Sequence, residues 1–229
     1  MRELIKNNKI IVHQDSFKNS NEYFIMYITA DVIVRNYDIN IQEELNEEIE
    51  KLLSEYSKSE VNQIPNIAYY RSLLKSYGRD PNRYKHSSEA LIKRIIKEKN
   101  IYQINNVVDF NNLLSLKYLI PVGSYDLNKI IGSINLEIAG VDAEINSLKN
   151  SNFKINGIPS LFDDLGAFGN IISDSKRTLI QSSTEKVLTV LFFLKKPDDI
   201  SSIKKELLEL HKTLLLSKSI KIQSNEENL

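Results

Sequence analysis

Cysteine is absent from the 229-residue sequence. That gap excludes a disulfide framework, a thiol nucleophile, an iron–sulfur centre and a cysteine zinc site. Histidine is nearly absent: His13, His86 and His211 are the only three. They stand too far apart for a HExxH helix or a pair one turn apart, so no metal and no cofactor are expected. Seven glycines and five prolines form no linker-like stretch, which argues for one domain over residues 1–229. Net charge is missing too. Lys+Arg and Asp+Glu are both 30, so binding nucleic acid by bulk charge is excluded while a local basic face is not. No apolar run approaches the roughly 18–20 residues of a membrane helix. The start, MRELIKNNKIIVHQD, lacks the apolar stretch of a signal peptide. A soluble, cytoplasmic protein without a membrane partner is the expectation. The P-loop, the dinucleotide glycine motif and the Gly-x-Ser-x-Gly elbow are all missing.

What is present is an ordinary folding chain, 41% hydrophobic and 26% charged. Residues 9–13 and the nearly continuous apolar run 23–34 read as strands, the second buried on both faces. Ile41, Leu45, Ile49, Leu52, Leu53 and Tyr56 recur at helical steps with glutamates between them. Ile67, Tyr70, Leu74 and Tyr77 mark a second helix closed by Gly78. A third is expected over 88–99 and a fourth over 106–118, stopping before Pro121. Beyond it the period becomes two, giving strands near 130–139, 160–162, 168–173, 178–181 and 187–194. The chain is expected to close with an amphipathic helix over 200–216. Helices early and strands late make the fold α+β, with the helices packed on a sheet formed mostly by the C-terminal half.

Charge is unevenly spread. Residues 38–60 hold eight acids and two bases, whereas 71–99 hold nine bases and three acids. Two solvated helix faces would account for this. The functional alternative makes Arg71, Lys75, Arg79, Arg83, Lys93 and Arg94, with Lys85, Lys97 and Lys99, a phosphate-contacting face.

The most specific segment runs Ile104-Asn105-Asn106-Val107-Val108-Asp109-Phe110-Asn111-Asn112, then Pro121-Val122-Gly123-Ser124-Tyr125-Asp126. Asn105, Asp109 and Asn112 fall at steps of four and three, hence on one helix face. Pro121, Gly123 and Asp126 read as a tight turn entering a strand. This pattern resembles the B3/B4 domain of the phenylalanyl-tRNA synthetase beta subunit, and more closely the free-standing proteins built from that domain alone. Tyr77-Gly78-Arg79-Asp80-Pro81 and Ser87-Ser88-Glu89-Ala90 upstream, with Asp163-Asp164 and Asp174-Ser175-Lys176-Arg177-Thr178 downstream, extend the likeness. It spans about residues 20–195 and is strongest over 67–132.

The resemblance implies a mixed α+β fold that holds an aminoacyl group, a tRNA partner, and hydrolysis of mischarged aminoacyl-tRNA in trans. A second, hydrolytic site supplements a pocket that discriminates one methylene or hydroxyl by factors of only roughly 10². The alternative is a module that binds an amino acid, a peptide or RNA without chemistry. A monomer is expected. The pocket implied comprises Asn105, Asp109, Asn112, Pro121, Gly123, Ser124, Tyr125, Asp126, Asp164, Gly166, Arg177 and Thr178, with Asp163, Ser175 and Thr184 beside them. Gly123 stands where the synthetase pattern has histidine, so the group that activates water is unassigned. Backbone N–H groups, amides, hydroxyls and the tRNA's own ribose hydroxyl are the remaining candidates. Asn105, Asp109 and Asn112 could equally brace the helix junction. Tyr125 could belong to the core, and Gly123 could serve a backbone need or a ligand's close approach. His86 is expected at the surface or as a cap.

Overall fold

The computed structural model describes residues 9–18, 23–98, 100–147 and 152–228; Lys99, placed in the third helix and the basic stretch by the sequence, lies outside them. The elements follow as β1 (Ile10–Val12), β2 (Phe24–Asp31), α1 (Ile39–Glu55), α2 (Pro65–Ser76), α3 (Ser87–Glu98), α4 (Asn106–Tyr118), β3 (Val122–Asp126), β4 (Ile134–Ile138), β5 (Glu144–Ile145), β6 (Phe153–Lys154), β7 (Pro159–Asp163), β8 (Gly166–Asn170), β9 (Lys186–Leu194), α5 (Ile200–Thr213) and β10 (Lys218–Ser224). The fold is α+β, as the segregation of periods predicts.

One antiparallel sheet has the order β10-β2-β9-β3 and a second the order β1-β4-β7-β8. In the second sheet β1 runs parallel to β4 and the other pairs are antiparallel. The early strand β2 lies between β9 and β10, so residues 24–31 share a sheet with the C-terminal half. Its central Ile25, Met26, Tyr27 and Ile28 are fully enclosed, which explains an apolar run without alternation.

The helices form where cap and stripe coincide. Asp38 accepts from the N–H groups of Asn40 and Ile41 and starts α1. That helix turns Ile41, Leu45, Ile49 and Leu52 inward, each contributing about 1.5–3 kcal/mol on burial. Pro65 opens α2, whose end is closed by Gly78 at φ +77°, the left-handed conformation a C′ glycine supplies cheaply. The Tyr70 hydroxyl donates to the Phe192 and Phe193 carbonyls and ties α2 to the end of β9. Asn105 caps α4 through the Val108 N–H, and Leu119 ends it in the left-handed region at φ 54°.

Several expectations need correction. The segment 121–126 is not a turn: Val122–Asp126 is the edge strand β3, paired with β9. Residues 127–129 form a short 3-10 turn, so the strand expected from 130 begins at Ile134. Over 178–181 there is no strand; Lys176–Thr178 is a 3-10 turn. The terminal helix ends at Thr213, and β10 then pairs with β2.

Candidate functional site

The helix face proposed from the sequence braces the fold. Asp109 is buried; its carboxylate accepts from the Ile104 N–H at 3.1 Å and from the Gln42 amide at 2.9 Å. Gln42 in turn accepts from Gln103 at 3.0 Å. Burial pushes the Asp109 carboxyl above its ordinary range while these two donors hold it back. With Asn105 spent on the cap, Asn105 and Asp109 fasten α4 to α1 and the preceding loop, and only Asn112, half-buried, keeps an uncommitted place. Its neighbour Asn111 does reach β3: its amide donates to the Val122 carbonyl at 3.1 Å and accepts from Ser124 Oγ at 3.0 Å. Ser124 Oγ also lies 3.0 Å from Thr189 Oγ1 on β9. A short chain of amide and hydroxyls therefore crosses from α4 to the sheet.

One residue along β3, the side chain points to the other side, toward the second sheet. Tyr125 is fully buried, stands edge-on to Phe168 with centroids 5.1 Å apart, and donates its hydroxyl to Asp174 Oδ1 at 2.9 Å. A Cβ on Gly123 would lie 2.1 Å from that hydroxyl oxygen, and a Cβ on Gly169 would also lie 2.1 Å from it. These glycines come from different sheets and hold open one slot, which the phenol fills. Neither is at positive φ. Gly123 is thus required by Tyr125, which corrects the expectation that it leaves room for a ligand or needs an unusual backbone. Pro121 is buried, its carbonyl accepting from the Phe192 N–H at 3.0 Å.

Asp174 differs from the other carboxylates nearby. Burial raises it to about 7, and the phenol's hydrogen bond opposes that rise. Tyr125 is itself pushed up by burial and by the adjacent carboxyl. The loop carrying Asp174 is built by Asn170, whose side-chain oxygen accepts from the Ile172 and Ser173 N–H groups. The Ser175 N–H returns to the Phe168 carbonyl at 2.9 Å.

Most of the remaining pocket candidates are engaged in the frame. Asp126 accepts from Asn128 N–H and from the Thr184 hydroxyl. Arg177 forms a two-pronged pair with Asp163 at 2.8 and 2.9 Å and also donates to the Lys129 carbonyl. Thr178 is buried and donates to the Phe168 carbonyl. Asp164 is exposed, its carboxylate lying over Gly132. Gly166 closes the β7–β8 turn at φ +109°, a conformation glycine adopts without strain.

The basic stretch is also divided. Arg71 donates to Glu89 at 2.8 Å, to the Pro81 carbonyl and to Asn82, and Lys93 donates to Glu89 at 2.5 Å and to Asn62. Arg79 is buried, bonded to the Asn156 and Lys154 carbonyls and lying 4.7 Å from the Tyr84 ring centroid. Arg79 is thus internal, and Arg71 and Lys93, half-buried, are paired within the protein; Lys75 and Arg83 are exposed and Arg94 half-buried. His86, expected at the surface, is enclosed. Its Nδ1 lies 2.9 Å from Ser88 Oγ and accepts from the Glu89 N–H, so the capping part of the expectation holds. Burial lowers it to about 3, which keeps the ring neutral. His211 is likewise buried, lowered to about 4, and stacked edge-on to Phe110. His13 is exposed against Asn135.

Asn111, Gly169, Asp174 and Thr189 are not among the residues that the sequence singles out. Asn111 has the same residue type as its chosen neighbour and differs only by one helical step. For Asp174 the signal is its place beside the Ser-x-Arg-Thr-like segment. Three surface recesses, of about 310, 140 and 50 Å³, are lined by other residues than the expected pocket. Among the described residues no cluster of three carboxylates or histidines could hold a metal ion. No helix there is long and apolar enough to cross a membrane.

With this geometry in place, comparison with known proteins assigns the class. The B3/4 domain family matches residues 69–210, and the chain belongs to that family. A solved N-terminal fragment of the phenylalanyl-tRNA synthetase beta-subunit from Pyrococcus horikoshii is similar at 12% identity and a TM-score of 0.43. The match covers 96% of this chain and 52% of the fragment, so the chain spans about half its length. Among curated proteins none matches.

Proposed function

We propose that this B3/4 domain binds the aminoacyl end of tRNA and hydrolyses the ester of a mischarged molecule in trans. The observation that carries the reading is family membership over residues 69–210; within that span the Tyr125–Asp174 pair supplies a base. An aminoacyl ester is already activated, so positioning and one base suffice. Asp174, raised to about 7, takes a proton from water as its oxygen attacks the ester carbonyl. The carbonyl carbon then releases the ribose oxygen, which receives that proton, and free amino acid and uncharged tRNA leave.

Tyr125 fills the slot between Gly123 and Gly169, and this observation favours the second reading, binding without hydrolysis. A panel of mischarged tRNAs, with Asp174→Asn as the comparison, separates the two. Release of amino acid by the parent and a loss of at least tenfold in the variant is expected. Tight binding with no release by either establishes the binding module instead.

A further inference from the structure

Nine large hydrophobic residues are exposed among the described residues, and five of them come from two short segments: Ile33 (73%), Tyr37 (49%) and Ile39 (53%), with Tyr102 (67%) and Ile104 (58%). Hydrogen bonds bring the segments together. The Asn106 N–H donates to the Arg35 carbonyl at 2.9 Å, its side-chain amide donates to the Ile33 carbonyl at 3.0 Å, and its side-chain oxygen accepts from the Arg35 N–H at 2.7 Å. On the other side, Gln103 is held by Gln42 in the first turns of α1, and Ile104 by Asp109. A fixed scaffold therefore presents three isoleucines and two tyrosines to water. Scattered exposed hydrophobics need no explanation; a group concentrated in one place marks an interface.

Exposed or half-buried charges of both signs adjoin the patch. Glu43 is exposed one helical turn after Ile39 and on the same face of α1. Arg94 lies with its guanidinium 5.5 Å from the Tyr102 ring centroid, and Lys97 is exposed one turn further along α3. A two-fold axis through such a patch sets the acidic border of one copy against the basic border of the other, the self-complementarity that an isologous interface requires.

We propose that this surface, formed by residues 33–39 and 102–104, is a homodimer interface in which Glu43 of each copy faces Arg94 of the other. Ile33, Tyr37, Ile39, Tyr102 and Ile104 form its dry centre, a composition of aromatic and aliphatic residues edged by arginine that suits an interface core. This departs from the monomer expected from the sequence and does not depend on the editing reaction.

The test is sedimentation equilibrium over a hundredfold range of concentration. The parent chain is expected to rise from 26.4 kDa toward twice that mass. Ile33→Glu combined with Ile104→Glu, both exposed and so neutral for folding, is expected to stay monomeric with an unchanged far-ultraviolet spectrum. Glu43→Arg alone and Arg94→Glu alone are each expected to weaken association at least tenfold, since each brings like charges together. Mixing those two variants is expected to restore a dimer containing one copy of each. A parent that remains monomeric at the highest concentration, or a dimer that the isoleucine pair leaves intact, overturns the proposal.

Discussion

Glu89 is a fully enclosed carboxylate and Asp174 a half-buried one, and their surroundings are opposite. Glu89 is fully enclosed with two cations on one oxygen, Arg71 at 2.8 Å and Lys93 at 2.5 Å, while its other oxygen lies 3.7 Å from the neutral His86 ring. Asp174 has a phenol and no cation described beside it. A carboxylate compensated by charge joins α2, α3 and the loop 80–84 into one piece. A carboxylate left with only a neutral donor titrates near pH 7 and remains available for proton transfer. The sequence marks the first as part of a wet basic helix and the second only as the start of a Ser-x-Arg-Thr-like segment, not as a pocket residue. Burial inverts their apparent importance.

The largest effect should come from breaking the compensated pair. Glu89→Ala leaves Arg71 and Lys93 without their shared counter-ion and is expected to cost about 3 kcal/mol in denaturant unfolding. Next, Gly169→Ala forces a Cβ against the Tyr125 hydroxyl and is expected to cost about 1–3 kcal/mol. A double-mutant cycle with Tyr125→Leu should recover most of that cost, because the steric conflict is with the phenol. If Gly169→Ala is as costly when combined with Tyr125→Leu as it is alone, the slot is not set by Tyr125.

Titration sharpens the same comparison. Asp174 has its folded value raised to about 7 from an ordinary 3.8, so the folded state holds a proton that the unfolded chain has released. Its contribution is therefore fully present below pH 4 and lost as pH rises through 7, with a slope of at most about 1.4 kcal/mol per pH unit. Asp174→Asn should flatten stability between pH 4 and 7 and make the protein more stable than the parent at pH 8. Equal slopes in parent and variant would remove Asp174 from the account. Tyr125→Phe, which deletes one hydrogen bond, should cost about 1 kcal/mol and move the Asp174 titration to still higher pH. The smallest effect on stability, within about 0.5 kcal/mol, is expected for Lys75→Glu with Arg83→Glu. Filter binding of tRNA at low and high salt then tells whether the exposed remainder of the basic stretch meets phosphate.

Helix α4 is legible to the residue because its start, stripe and stop are local: an Asn cap, Val107, Phe110, Leu113 and Leu114 inward, and Pro121 beyond. The burial of β2 is legible for a similar reason, since an unbroken apolar run has nowhere else to go. The partners of Arg71, Arg79 and Lys93 are not legible because a cation's partner is set by tertiary structure, and Glu89, one turn before Lys93, looks as exposed as its neighbours until Arg71 of α2 reaches it. Strand β10 carries a readable alternation, Ile220 and Ile222 between polar residues, that the preceding leucine stripe overshadows. The Tyr125 slot has no local signal, because Gly123 and Gly169 meet only when two sheets stack.

The pairing of β10 with β2 also sets an order of events on the ribosome. The Ile25 N–H finds its partner in the Asn225 side chain 200 residues later. At about 5–20 residues per second of synthesis, the nascent β2 edge waits some tens of seconds for the segment that covers it. During that interval an enclosed strand of Phe24, Ile25, Met26, Tyr27 and Ile28 presents open backbone donors and acceptors to whatever strand is nearby. Translation speed between β2 and β10, and the holding chaperones present, therefore become determinants of how much of this domain survives to function.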